Sequence, residues 1–194
     1  MHTPPIVLAS SSPYRRSLLA RLRLPFEVRA PGVDEAALPG EGARDTALRL
    51  AQVKARAVAP EYPEGLIIGS DQVAVLDGLP LGKPGTHANA VAQLKAMRGR
   101  SVLFHTAIAL LNAASSALHS AEVPTTVRFR RYDDAEIERY LAAEKPYDCA
   151  GSARIEGTGI VLVTSVESTD PSALIGLPLI ALVAMLRSEG VVIV

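Results

Sequence analysis

Short apolar runs bounded by Gly, Pro or Ser punctuate the chain: IVLA at 6–9, LII at 66–68, VLFHTAIALL at 102–111, TTVRF at 125–129 and GIVLVTSV at 159–166. Their length and β-branched content predict strands. Between them, apolar positions recur at helical spacing over 13–24, 43–59, 87–97, 133–143 and 177–189. Interleaved strands and helices predict an α/β fold. The sheet should be mixed, because Asp77-Gly78 between apolar residues predicts a tight hairpin and so an antiparallel element. Helix ends are also signalled. Ser12 before Pro13 predicts an N-cap with proline at the first helical position, Pro178 predicts the same opening for the last helix, and Gly190 predicts its close. The segments 31–42 and 167–176 read as active-site loops rather than domain boundaries. With no repeat or linker, residues 1–194 are expected to form a single domain.

Composition narrows the class of function. With 48% hydrophobic and 21% charged residues and no apolar run of membrane-spanning length, the chain is expected to be a soluble globular protein without a membrane partner. The N-terminal MHTPPIVLAS lacks the basic and long apolar parts of a secretory signal, so the cytoplasm is the expected location. Twenty basic and twenty acidic residues cancel, which argues against nucleic acid held by bulk charge; an anionic ligand must be met locally. The single cysteine, Cys149, excludes an internal disulfide and a multi-thiolate zinc site, and reads as a small apolar residue. His2, His87, His105 and His119 are scattered, and none is assigned a catalytic role.

Candidate chemistry begins at LASSSPYRRSLLARL, residues 8–22. Arg15 and Arg16 fall in the first turn of the predicted helix, where each cation costs about 0.3–1 kcal/mol against the helix dipole. Either both point into water, or they compensate an anion held with the serine hydroxyls and the free N–H groups of the helix start. In DTALRLAQVKARAVA, Lys54 falls on the apolar stripe through Ala47, Leu50, Ala51 and Val58. Snorkelling to water is the ordinary reading of a lone lysine there; an ammonium aimed at a phosphate is the other. Asp71 stands at the apparent end of an apolar strand, where ligands of open α/β sheets collect, although a lone Asp there is usually a turn or cap residue. Lys83 and Glu35 are each ordinary loop residues when taken alone. Together, Ser10, Arg15, Lys54 and Lys83 supply phosphate partners, and Glu35 and Asp71 supply carboxylates able to hold a divalent cation or take a proton. Such a set suits a polyphosphate substrate. Neither G-x-x-x-x-G-K-[ST] nor G-x-G-x-x-G is present, which excludes P-loop and ordinary dinucleotide-binding readings.

The ordered blocks LASSSPYRRSLL, VDE, RLAQVKA, IIGSDQVAVLDG, LGKP, VRFR, CAGSARIEGTGI and IGLPL resemble the Maf family of nucleoside triphosphate pyrophosphatases along nearly the whole chain. The resemblance implies a mixed, elongated sheet flanked by helices, with two lobes around a cleft, as in inosine triphosphate pyrophosphatases. It implies hydrolysis between the α and β phosphates of a nucleoside triphosphate, a divalent cation such as Mg2+ or Mn2+, and dimerisation. By the same resemblance Asp71 is the proton acceptor and a metal ligand with Glu35, Lys54 and Lys83 are catalytic cations, and Arg15 is catalytic and binds phosphate. Ser10 and Arg16 join it as phosphate-binding residues from the reading of the helix start. SDQ and CAGSARIEG look like the subgroup acting on 7-methyl-GTP, giving 7-methyl-GMP and diphosphate, and place substrate specificity on Tyr14, Gln72 and Glu156. N7-methylation makes the base cationic, so an aromatic face from Tyr14 and a carboxylate from Glu156 would favour it. The chain departs from the subgroup at Tyr14, commonly tryptophan, at Ser172, often asparagine, and at Ala107, often glycine. The rival readings are a dTTP/UTP or broad-specificity pyrophosphatase of the same family, and a nucleotide-binding regulator of cell division without significant turnover.

Overall fold

A computed structural model describes residues 4–193. His2 lies outside the described residues. Among the described residues the sheet has seven strands, β1 (Ile6–Ala9), β2 (Glu27–Arg29), β3 (Leu66–Leu76), β4 (Leu79–Leu81), β5 (Ser101–Asn112), β6 (Leu118–Phe129) and β7 (Val163–Ser168). Their order is β2-β1-β3-β5-β6-β7, with β4 paired to β3. Among the described residues, five α-helices accompany it: α1 (Pro13–Ala20), α2 (Ala43–Val58), α3 (His87–Met97), α4 (Asp134–Glu144) and α5 (Leu179–Ser188). β1 is parallel to β2 and β3, whereas β3/β4 and β6/β7 are antiparallel, so the sheet is mixed. Among the described residues, no helix is long and apolar enough to cross a membrane.

The chain divides into two compact units. The first takes the chain up to Asp71, Thr106–Val123 and everything from Asp170 on. Here β1 is buried at every position, as a strand covered on both faces must be. Ile6 and Leu8 join Leu18 and Leu19 of α1 and Leu182 and Leu186 of α5 in one cluster. Val7 and Ala9 point the other way, onto Ala55 and Val58 of α2. The second unit takes Gln72–His105 and Pro124–Thr169. α4 opens there with a capping box, in which Asp133 accepts from the Glu136 N–H and Glu136 accepts from the Asp133 N–H. Phe104, Phe129, Leu94 and Ile137 are buried within that unit.

Local chemistry explains most element ends. Ser12 caps α1 by accepting from the Arg15 N–H at 3.3 Å, with Pro13 at the first helical position. Asp77 and Gly78 both have positive φ, 47° and 81°, the geometry of a type I′ turn joining β3 to β4. Gly190 closes α5, its N–H bonding to the Arg187 carbonyl and that of Val191 to Leu186, the paired bonds of a Schellman motif.

Several boundaries differ from the sequence reading. α1 stops at Ala20 rather than 24, because Arg23 adopts φ 54° and Pro25 pushes Leu24 out of helical geometry. Pro178 is the N-cap of α5, not its first helical residue. A buried acid does the capping, Asp170, whose Oδ2 accepts from the Ile180 N–H at 2.7 Å. Residues 159–162 wind into a 3-10 turn, so β7 begins at Val163. β2 is exposed at all three positions and the first half of β6 places His119, Ser120 and Glu122 among its apolar residues, so neither carries an apolar run.

Among the described glycines of the first unit, Gly69 has the least room for a side chain. A Cβ built there would lie 2.0 Å from the Ala51 carbonyl oxygen and 2.9 Å from the Ala55 nitrogen, both backbone atoms of α2. Gly69→Ala must therefore lift the helix from the strand. Chemical denaturation should show a loss at or above the upper end of the ~1–3 kcal/mol typical of overpacking, and a loss under about 1 kcal/mol would contradict this packing.

Candidate active site

α2 buries one face, comprising Thr46, Ala47, Leu50, Ala51, Lys54, Ala55 and Val58. Lys54 is thus within the buried stripe rather than at its edge, and it does not snorkel, since its side chain is only 4% exposed. A buried ammonium must be compensated. Its Nζ lies 2.6 Å from Asp71 Oδ1 and 2.6 Å from Glu35 Oε1. The two acids arrive differently. Asp71, with a side chain 10% exposed, is fixed on β3, whereas Glu35, 52% exposed, comes from the irregular segment before α2.

Asp71 is not at a strand's end. β3 runs on to Leu76, because Gln72–Leu76 leads into the β4 hairpin. What ends near Asp71 is the parallel partner: the β1 ladder stops at the pair Ala9↔Gly69, and the chain leaves β1 through Ser10. Asp71 therefore sits just beyond the carboxyl end of the parallel ladder, the position at which open α/β sheets gather ligands.

Arg15 completes the charge pattern. Its Nε donates to the Gly176 carbonyl at 2.8 Å, and buried Ser70 Oγ, with one proton to give, lies 2.8 Å from that carbonyl and 2.7 Å from the Ala107 carbonyl. Loss of hydration lowers the Arg15 pKa, and the negative charges of Asp71 and then Glu35 oppose that fall. Two cations and two carboxylates are thereby in mutual electrostatic range. Ser10 is buried at the turn before α1, where its Oγ accepts from the Ser12 N–H at 3.1 Å. Tyr14 is half-buried at the second helical position. Arg16 faces elsewhere, lining an open groove of about 550 Å³ with Ala20, Leu24, Pro25, Phe26 and Val28.

The other candidates belong to the second unit. Gln72 is half-buried on β3. Lys83 is exposed on the loop after β4, and that loop is pinned on both sides of it. Gly82 O accepts from Gln93 Nε2, and Pro84 O from Asn89 Nδ2, both at 2.9 Å. Glu156 follows a segment held by α4, where Tyr140 Oη donates to Ser152 O at 3.1 Å and accepts from the Arg154 N–H at 2.9 Å. Arg154 pairs with Glu144 at 2.9 Å and approaches Glu156 at 3.6 Å. One guanidinium between two acids leaves these three side chains with one net negative charge. The Ser70–Gly176–Arg15 linkage was not read from the sequence; its one signal was the glycine of IGLPL, which adopts φ 119°.

The family model for Maf-like proteins matches residues 5–189. The chain belongs to the Maf family. Its Maf relatives include proteins named 7-methyl-GTP pyrophosphatase from Methylobacillus flagellatus, 59% identical over 97% of this chain and 98% of the relative, and from Thiobacillus denitrificans, 58% identical over 97% and 94%. One from Cupriavidus metallidurans is 56% identical over 96% and 94%. Among solved structures, a HAM1 protein from Coxiella burnetii is similar with TM-score 0.48 and 21% identity, covering 67% of this chain and 75% of that one. The Staphylococcus aureus Ham1 protein gives TM-score 0.46 and 17% identity over 64% and 71%.

Lys54→Met removes the charge but keeps the bulk, and strands the Asp71 carboxylate in a dry position. Stability should fall by about 3 kcal/mol in denaturant titration, and Lys54→Met with Asp71→Asn should recover much of it. A single variant within about 1 kcal/mol of the parent would contradict a buried pair.

Proposed function

We propose that this Maf protein is a nucleoside triphosphate pyrophosphatase that hydrolyses 7-methyl-GTP to 7-methyl-GMP and diphosphate. The observation that carries the reading is the Lys54 ammonium shared by Asp71 and Glu35 beside Arg15, on a chain 56–59% identical over nearly its full length to proteins of that name. A polyphosphate needs cations held where they can meet its oxygens and a base near the attacking water.

Asp71 is the proton acceptor. Lys54 engages its Oδ1, which leaves Oδ2 to take a proton from water as the water oxygen bonds to the α phosphorus and the bridging bond to diphosphate breaks. Lys54, Arg15 and Lys83 bind phosphate oxygens, with Ser10 as a supporting group at the turn before α1; Arg16, which lines the groove with Phe26 and Val28, drops out of the expected phosphate set. The donor set also fits a divalent cation of the Mg2+ or Mn2+ kind. No group of three or more His, Cys, Asp or Glu side chains forms a cage among the described residues, but Mg2+ is commonly held by one or two carboxylates plus substrate phosphates. Glu35 and Asp71, which already converge on one cation, would hold it, and when bound it would neutralise charge on the phosphates. Tyr14, Gln72 and Glu156 select the base, with the negative charge around Glu156 and Glu144 favouring a cationic ring. A cytoplasmic homodimer without nucleic-acid partners is the accompanying expectation.

Turnover across a panel of triphosphates with product identification tests this. 7-methyl-GTP should be cleaved best, yielding diphosphate; dTTP or UTP cleaved far better would overturn the substrate assignment. Asp71→Asn should lose about 10²–10⁴-fold in turnover while still binding nucleotide, and Glu156→Gln should narrow the preference for 7-methyl-GTP over GTP.

A further inference from the structure

Glu35 poses a physical problem. It sits on a segment, residues 30–42, with neither helix nor strand, its side chain is half-exposed, and yet it meets a buried ammonium at 2.6 Å. Ordering such a backbone costs roughly 1–2 kcal/mol per residue, so something must hold it. The Ala36 N–H donates to Asp34 Oδ1 at 2.9 Å, and the Leu38 N–H donates to Glu41 Oε2 at 3.0 Å. The Ala36 carbonyl, one residue past Glu35, accepts from an Arg49 terminal nitrogen at 3.0 Å.

Arg49 is itself clamped. Its Nε and terminal nitrogen donate to the two Glu41 oxygens at 2.6 and 2.7 Å, the fork geometry of a bidentate pair, and the Thr46 hydroxyl adds a third bond to Glu41 at 3.0 Å. The side chains are only 27% and 12% exposed, unlike an ordinary surface ion pair. The Arg49 bonds hold the Glu41 carboxyl at about 2, well below the usual range, so the pair stays ionised at neutral pH. Thr46 and Arg49 both belong to α2, the helix that carries Lys54. One rigid helix thus grips the loop and receives its acid.

We infer that Arg49 and Glu41 are positioning residues for the phosphate site, fixing Glu35 against Lys54. The functional part of this inference rests on the reading of Glu35 given above. Lysine cannot replace Arg49, because a single ammonium cannot bond both Glu41 oxygens and the Ala36 carbonyl in the plane of a guanidinium.

Amide hydrogen exchange and turnover on the full chain decide it. Arg49→Lys, Arg49→Ala and Glu41→Gln should each speed exchange of the Ala36 and Leu38 amides by about tenfold or more while leaving the amides in the middle of α2 at parental rates. Each should lower kcat/KM to about the level of Glu35→Gln, and adding Arg49→Ala to Glu35→Gln should cost nothing further. Parental exchange at both amides, or losses that multiply in the double variant, would overturn the inference. A Glu35→Gln variant with parental turnover would remove Glu35 from the proposed function, and amide exchange alone would then decide whether the clamp orders the loop.

Discussion

The site depends on how closely α2 lies on β3. At Gly69 the two backbones approach to a distance that no side chain could tolerate. That contact sets the height of the helix above the strand. The lysine three residues beyond Ala51 then meets the aspartate two residues beyond Gly69 at hydrogen-bond distance. A larger residue at 69 would move the helix, and the ammonium would lose its reach.

Burying Lys54 forces the rest of the arrangement. A charge with a side chain 4% exposed needs partners, and a single carboxylate would leave its other protons unsatisfied. The partners differ in rigidity. Asp71 is on an eleven-residue strand locked by its neighbours, whereas Glu35 belongs to a segment whose order comes from side chains of α2. This division suits the proposed chemistry: Asp71, the proposed base, is preorganised on a regular element, and Glu35 can adjust to a cation or a substrate. Arg15 is fixed independently, through the Gly176 carbonyl, so the guanidinium proposed to bind phosphate does not depend on Lys54, Asp71 and Glu35 for its position.

Much of this was legible in the sequence wherever a local rule decided the outcome. Ser12-Pro13 gave the start of α1, and Asp77-Gly78 the β3/β4 turn, because capping and positive φ are chosen by one or two residues. The helical stripe placed Lys54 on the buried face, but burial without snorkelling needed two acids distant in sequence, which no stripe reveals. Asp71 was misread as a strand end because the apolar run breaks at Gly69-Ser70; the strand is continued by pairing with β4, a tertiary effect. The arginines after the serines separated once packing was fixed. Arg15 turns toward Gly176, and Arg16 lines a groove on the way to β2, a division their adjacency could not show. Of the residues the family resemblance implies, Lys54, Asp71 and Glu35 meet directly, with Arg15 in electrostatic range, because α2 packs closely on β3.

The most direct test is a crystal structure with the α,β-methylene analogue of 7-methyl-GTP, which cannot be cleaved at the reacting bond. The account predicts phosphate oxygens on Arg15 and Lys54 and the α phosphorus facing Asp71. An analogue bound with its phosphates away from all three residues would contradict it.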